Sequence, residues 1–430
     1  MNKGGFVHSV RKGKRGIASA AMAMSLAATV VGVGTAALSG TAGAATGASS
    51  SSGPIVVGGV DAGFNFPGTA TGFQAGIYRF NKAGGLGGRK IKFLGVQDDQ
   101  DSPASETTDV QQLVQSDHVF AVTPFADDVA STQLTTFLGQ NQTPVIGYGV
   151  EQAFCKNKWA ISIIGCQQSF QGWETTASIK QIIQASKKPA SQLKVAMEGY
   201  DSAPAVTVSQ TLGEVWSSLG AKVVINQNNI PITGAQSQAP FVQAILATDP
   251  NIVFEVTGSA AGIALAAALH GAGYTGIIYN GATYEPSALA TQPSVASALK
   301  GVYTTNLLPT EYDGTPAIKQ ELADLKSIGA APDIEIGTDI GYWSAQLFIQ
   351  LLQATKARGA AVTPANVAAT VAKGITIKPT LAGGDGPLSW PTLSDQPEPC
   401  TSTVEGAGTT YKLFQKFTCY PNKKVATSAG

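Results

Sequence analysis

Residues 77–100 read IYRFNKAGGLGGRKIKFLGVQDDQ, a helix, a stop and a strand in immediate succession. Apolar Ile77 and Phe80, with Phe73 one turn earlier, keep helical spacing and predict a helix over residues 72–82. Gly84, Gly85, Gly87 and Gly88 then allow the positive φ of a helix cap and a tight return turn. Ile91 to Val96 predicts a strand, and Asp98-Asp99 with Asp101 an acidic loop that caps the next turn. The glycines are no dinucleotide cradle. A pyrophosphate needs them after a strand and before a helix, and here the order is reversed.

Outward from this unit the same alternation holds. A strand over residues 55–58 precedes it. A helix over 105–116, a strand over 118–123, a helix over 131–142 and a strand over 144–147 follow. A second array comprises helices over 172–186, 205–219, 239–247 and 260–272, with strands over 193–197, 222–227, 252–256 and 276–279. Two successive β-α arrays predict an α/β protein with two Rossmann-like lobes, each a parallel sheet covered by helices on both faces. The last third predicts helices over 316–328 and 337–357, the latter with Trp343 in its core stripe, and then a β-ribbon around residues 410–417.

Lys3, Arg11, Lys12, Lys14 and Arg15 precede an apolar run over residues 17–38 and the small residues Ala42-Gly43-Ala44. That order predicts a signal peptide over residues 1–44, cleaved near Ala44, followed by a polar leader over 45–53. The expected location is extracytoplasmic. No Cys precedes Phe154, so the lipid-bearing cysteine of a tethered receptor is missing. The chain carries 28 basic and 28 acidic residues, and loss of the five basic ones leaves 23 against 28, a charge of −5. Weak acidity argues against a nucleic-acid partner. Cys155, Cys166, Cys400 and Cys419 all lie in the exported portion, and their neighbours in sequence predict the disulfides Cys155–Cys166 and Cys400–Cys419. A zinc site is the competing reading, but C-x-x-C pairs are lacking and only His118 and His270 remain after cleavage. No metal and no cofactor are expected.

Motifs of catalysis are missing too. The exported portion has no G-x-S-x-G at a strand end, no phosphate loop and no H-E-x-x-H helix. Adjacent acids such as Asp127-Asp128 read as solvated or capping groups, so no catalytic residue is assigned. Capture of a ligand without chemistry is the expected activity.

The glycine segment, with its Asn, Ala-Gly-Gly-x-x-Gly-Arg-Lys and Asp-Asp, closely resembles the N-terminal signature of the leucine/isoleucine/valine-binding-protein family, type I periplasmic binding proteins. Ser131-Thr132-Gln133, Thr143-Pro144-Val145-Ile146 and Gly386-Pro387-Leu388-Ser389-Trp390 continue the likeness to about Trp390. It implies two lobes joined by three hinge crossovers, near residues 166–173, 302–308 and 386–393. Lobe 1 would comprise 54–170 and 305–387, and lobe 2 would comprise 171–304 and 388–430 with the disulfide-closed ribbon. It also implies the extracytoplasmic receptor of an ABC importer, a monomer that presents a small ligand to membrane permease subunits. A sensing protein for a signalling receptor and a secreted enzyme on the same scaffold are the alternatives.

By this likeness the ligand meets Asp127, Asp128, Val129, Ala130 and Ser131 before the third helix, and Tyr148, Gly149 and Val150 after the next strand. From the second array Ser259 and Ala282 take part. Aromatic contact would come from Tyr200, Tyr284, Phe64 or Phe66. The family's place for an acid that receives an amino group holds Ala282-Thr283-Tyr284, with Glu285 shifted. An aliphatic amino acid is thus one expected ligand, and an amide or polyamine another.

Overall fold

The computed structural model describes residues 53–127, 130, 132–167, 177–377, 388–397 and 399–420. The segments expected as signal peptide and leader lie outside these residues, apart from Gly53. So do Asp128, Val129, Ser131, most of the first expected crossover and the first two residues of the third.

The chain runs β1 (Ile55–Asp61), α1 (Thr69–Lys82), β2 (Ile91–Asp98), α2 (Pro103–Gln111), β3 (Ala121–Asp127), α3 (Thr132–Gln140), β4 (Val145–Gly149) and β5 (Ala160–Ser162). These strands form a parallel five-stranded sheet in the order β2-β1-β3-β4-β5. There follow α4 (Ala177–Ser186), β6 (Lys194–Tyr200), α5 (Ala203–Ser218), β7 (Lys222–Ile230), α6 (Ala239–Leu246), β8 (Ile252–Val256), α7 (Ser259–Gly271) and β9 (Ile277–Asn280). Short helices α8 (Pro286–Thr291) and α9 (Pro293–Ala298) lead to β10 (Tyr303–Asn306). The chain then turns to α10 (Pro316–Ser327) and α11 (Ile336–Ala357), both packed on α1, and to α12 (Pro364–Ala372). It ends through β11 (Ile375–Ile377), β12 (Leu388–Trp390), β13 (Cys400–Gly406) and β14 (Tyr411–Cys419).

Among its parallel strands the second sheet repeats the first: β7-β6-β8-β9-β10 matches β2-β1-β3-β4-β5. Each order reverses direction once, between β1 and β3 and between β6 and β8, and that is where a crevice opens beyond the strand ends. One departure from the expected parallel sheets is the ribbon. β13 joins β10 antiparallel and β14 pairs with β13, so the second sheet is mixed. The ribbon is also longer than residues 410–417, because Cys400 and Cys419 close it as cross-strand partners.

The opening segment folds by the forces its glycines announce. Gly84 and Gly85 take φ of 93° and 73°, and the Gly85 N–H bonds the Phe80 carbonyl at 2.9 Å, which caps α1. Leu86 and Arg89 then pair across Gly87 and Gly88, the return turn. Asn81 ties helix to strand in both directions, donating to the Ile91 carbonyl at 2.9 Å and accepting from the Ile91 N–H at 2.8 Å. At the end of β2, Asp98 accepts from Gly63 and Gln100 N–H groups and Asp99 from that of Asp101.

Consecutive strand residues serve opposite faces. Val195 and Met197 of β6 pack toward α4 and α5 with Trp216, whereas Ala196 packs toward α6 and α7 with Val253 and Ile278. Trp343 is buried in the first lobe's main core, its indole N–H donating to Asp339 at 2.6 Å. The strand expected over 118–123 begins only at Ala121, since His118 sits at φ 51°, a left-handed turn that closes the helix before it. Among the described residues no helix is long and apolar enough to cross a membrane, and no group of three or more His, Cys, Asp or Glu could hold a metal ion.

Both disulfides join the pairs expected from sequence neighbours, Cys155 with Cys166 and Cys400 with Cys419. Closing loops of this length restricts the unfolded chain by about 3 kcal/mol each. The double variant Cys155→Ser/Cys166→Ser should therefore lower unfolding stability by about 2–3 kcal/mol in urea titration. An unchanged midpoint would show that the excursion it closes is held by packing alone.

Candidate functional site

A cavity of about 210 Å³ lies beyond the carboxyl ends of the strands, lined by residues of both lobes. The first lobe contributes Phe66 after β1, Tyr148 and Val150 around the end of β4, and Ile336 at the start of α11. The second contributes Tyr200 at the end of β6, Pro204, Val208 and Leu212 along α5, Phe254 and Val256 of β8, and Tyr279 of β9. Two aromatic pairs frame it. Phe66 and Tyr148 have ring centroids 5.4 Å apart, and Phe254 stacks on Tyr279 at 4.2 Å.

Lys, Arg and His are absent from the lining among the described residues. Among the described residues its one carboxylic residue is Glu255, and strand alternation explains why this acid does not charge the apolar wall. Phe254 faces α5, so the next residue faces α7. There the Glu255 Oε2 accepts from Asn280 at 2.8 Å and lies so close to α7 that a Cβ on Gly262 would stand 3.0 Å from it. Register sets Gln227, Glu198, Glu255 and Asn280 side by side on four adjacent strands. Burial raises the Glu255 pKa to about 8, with Asn280 opposing the rise and Glu198 adding to it.

Several other polar groups of the wall are hydrogen-bonded within the protein. Asn280 also donates to Thr257 and accepts from the Ala282 N–H. Asn306 donates to Asp339 at 3.0 Å, and Gln167 to the Ile164 carbonyl at 2.6 Å. Thr305 bonds Thr403 at 2.9 Å, and burial pushes the Tyr279 pKa up to about 12, opposed by the nearby hydroxyls of Ser178 and Thr305.

Among the described residues the lobes meet across the cleft beside Gly258 and beside Ser287. A Cβ on Gly258, after β8, would lie 2.8 Å from the Asn65 Oδ1 of the first lobe and 2.9 Å from the Tyr200 hydroxyl. Farther along, the Ser287 N–H at the start of α8 donates to Glu335, before α11, at 2.8 Å. Glu335 also pairs with Glu285, whose pKa rises to about 8, first through burial and then through this second carboxyl.

Of the residues expected to meet a ligand, Tyr148, Val150, Tyr200 and Ala282 line the cavity together. Phe64 does not: it is half exposed on the loop after β1, and Phe66 takes the inward place. Tyr284 is fully buried instead, stacked on Tyr411, its hydroxyl accepting from the Glu311 N–H. Gly149 leaves room for Phe154, whose ring would stand 2.2 Å from an added Cβ, and Ala130 belongs to the first lobe's second core. Ser259 is buried beside Glu285, whose raised pKa it opposes, rather than lining the cavity. Asp127 is buried against Asp99, the two carboxyls sharing a hydrogen bond that helps raise Asp99 to about 10 after burial itself.

The wall along α5 was missed because its residues look like ordinary core. Val208 and Leu212 stand four apart on a helix that packs on a sheet, and nothing local tells a packed stripe from one that borders a cavity.

A family profile described as periplasmic binding protein matches residues 54–392. No curated protein matches the sequence. Three solved structures are similar in fold over most of the chain. A solute binding protein of an ABC transporter from R. palustris, in complex with 4-hydroxybenzoate, is 18% identical over 86% of this chain and 98% of its own, with a TM-score of 0.67. A fatty acid ABC transporter substrate-binding protein from Thermomonospora curvata is 16% identical over 86% and 95%, with a TM-score of 0.71. The branched-chain amino acid transporter substrate binding protein LivJ from Streptococcus pneumoniae, in complex with isoleucine, is 15% identical over 84% and 99%, with a TM-score of 0.64.

Proposed function

The chain belongs to the periplasmic binding protein family, and from that premise we propose that it is the extracytoplasmic receptor of an ABC importer, closing its two lobes on a small molecule. The observation that carries this reading is the cavity itself, walled by both lobes where each strand order reverses. The absence of catalytic motifs from the sequence and the solute-binding character of the structural relatives support binding without chemistry. The basic and apolar N-terminal segment supports export, and closure would offer both lobes to permease subunits.

The test is ligand-induced stabilisation of the exported portion across benzoates, fatty acids, amino acids, amides and amines. A ligand at a hundred times its Kd adds about 2.7 kcal/mol, a rise of several degrees in Tm. No shift with any compound, and no retained molecule by native mass spectrometry, would remove the reading.

Closure can be tested apart from ligand chemistry. Gly258→Leu places a side chain against Asn65 of the opposite lobe, a contact that an open form does not make. Affinity for whichever compound stabilises the wild type should fall by at least about tenfold, with the Tm of the free protein little changed. X-ray scattering should show the wild type contracting on ligand addition and the variant staying extended. Equal affinity and equal contraction would place closure elsewhere.

A further inference from the structure

Resting on the receptor reading, we propose that the cavity extends into lobe 2 as a pouch for an uncharged apolar group of ring size, with Leu212 and Val208 of α5 deciding what fits. The pouch runs between α5 and the sheet: Val208 and Leu212 form one wall, the stacked Phe254 and Tyr279 the other. Ala177 and Ser178 of α4 bound it as well.

Three features exclude a charged or strongly polar occupant at this depth. No Lys, Arg or His lines the cavity among the described residues, so an anion would lose its hydration without a counter-charge. The Glu255 carboxyl turns toward α7, on the face of the sheet opposite Phe254, and its Oε2 bonds Asn280 there, so a cation seated between Phe254 and Leu212 gains no partner either. Among the hydroxyls beside the pouch, Thr305 is already bonded to Thr403 at 2.9 Å and that of Tyr279 faces Ser178 and Thr305, so a polar ligand would compete with these groups for its partners.

What remains favourable is burial of apolar surface between two rings and two aliphatic side chains. Each buried methylene tightens binding by about fourfold. Any polar group of the same ligand is left to the wider part of the cavity, where the lobes meet.

The experiment is calorimetric titration with benzyl alcohol, 2-phenylethanol and 3-phenyl-1-propanol as neutral probes, and with glycerol, glutamate and arginine as polar ones. Affinity should climb along the phenyl series, with no measurable binding of the polar set. Leu212→Trp fills the pouch from α5 and should cost the phenyl probes at least about tenfold, while Leu212→Ala should shift preference toward the bulkier members. Val208→Phe, from the same helix face, is the second filling variant should Leu212→Trp fail to fold.

Tight binding of glutamate or arginine, or phenyl-series affinities untouched by a folded filling variant, would overturn the pouch. The two readings fail differently. A polar solute whose binding depends on Gly258 would keep the receptor and discard the pouch, whereas a protein that binds no compound at all discards both.

Discussion

Gly72→Ala should unfold the first lobe under conditions where the wild type is fully native, although alanine favours a helix over glycine by about 1 kcal/mol. The reason is the crossing of α1 and α11. A Cβ on Gly72 would lie 1.9 Å from the Thr338 carbonyl oxygen, and the groups it meets are helix backbone with no freedom to swing away. The contact is reciprocal: an added Cβ on Gly341 would stand 2.1 Å from the Thr69 carbonyl, and one on Gly337 2.1 Å from that of Phe66. Separating the helices would also open the core built around Phe73, Ile77, Ile340 and Trp343. Together these predict a loss of about 3–5 kcal/mol, read as the urea midpoint by circular dichroism. Gly271→Ala is the internal control. It sits in the last turn of α7 with open space around it, so the same substitution should be neutral or stabilising. If both variants behave alike, close helix approach is not what the glycines of α1 supply.

Raising the pH from 5 to 8 should destabilise the protein steadily, the reverse of the behaviour produced by surface ion pairs. Burial lifts Asp61 to about 7, Glu106 and Glu285 to about 8 and Asp99 to about 10, from ordinary values near 4. Such groups hold their protons when folded and release them when unfolded. Their contribution is therefore complete below about pH 4 and is lost as the pH climbs toward each native value, with a slope of up to about 1.4 kcal/mol per pH unit for each group. The opposing pairs are few: among the described residues only Arg79–Asp324 and Lys194–Asp249 are ion pairs, and the second is exposed. Glu106 is the sharpest probe, being fully buried with neither carboxyl oxygen hydrogen-bonded. Glu106→Gln should flatten the stability profile between pH 5 and 8 by about one proton's slope. A wild-type profile that is level or rises over that range would sink the account.

Much of the scaffold was legible in residue order. The helix stop at Gly84-Gly85, the return through Gly87-Gly88 and the staple from Asn81 to Ile91 involve residues within a dozen positions of each other, so local chemistry suffices. The site was legible only in part. Tyr148, Val150, Tyr200 and Ala282 lie just after strands, and the rule that ligands sit beyond strand ends finds such positions. It does not separate Phe64 from Phe66, two residues apart on one loop, because which ring turns inward depends on Tyr148 being there to receive it.

The chain by itself determined the α/β alternation, the two arrays and the pairing of its cysteines, since each follows from periodicity, turn residues or short separations. Tertiary structure alone decided the character of the cavity. Glu198, Glu255 and Asn280 are far apart in sequence, and only strand register brings them into one row and turns that row toward α7. The same alternation leaves Phe254 and Tyr279 facing Leu212. A wall that could have been acidic is apolar because successive side chains of a strand point to opposite faces, and only the assembled sheet says which face the ligand meets.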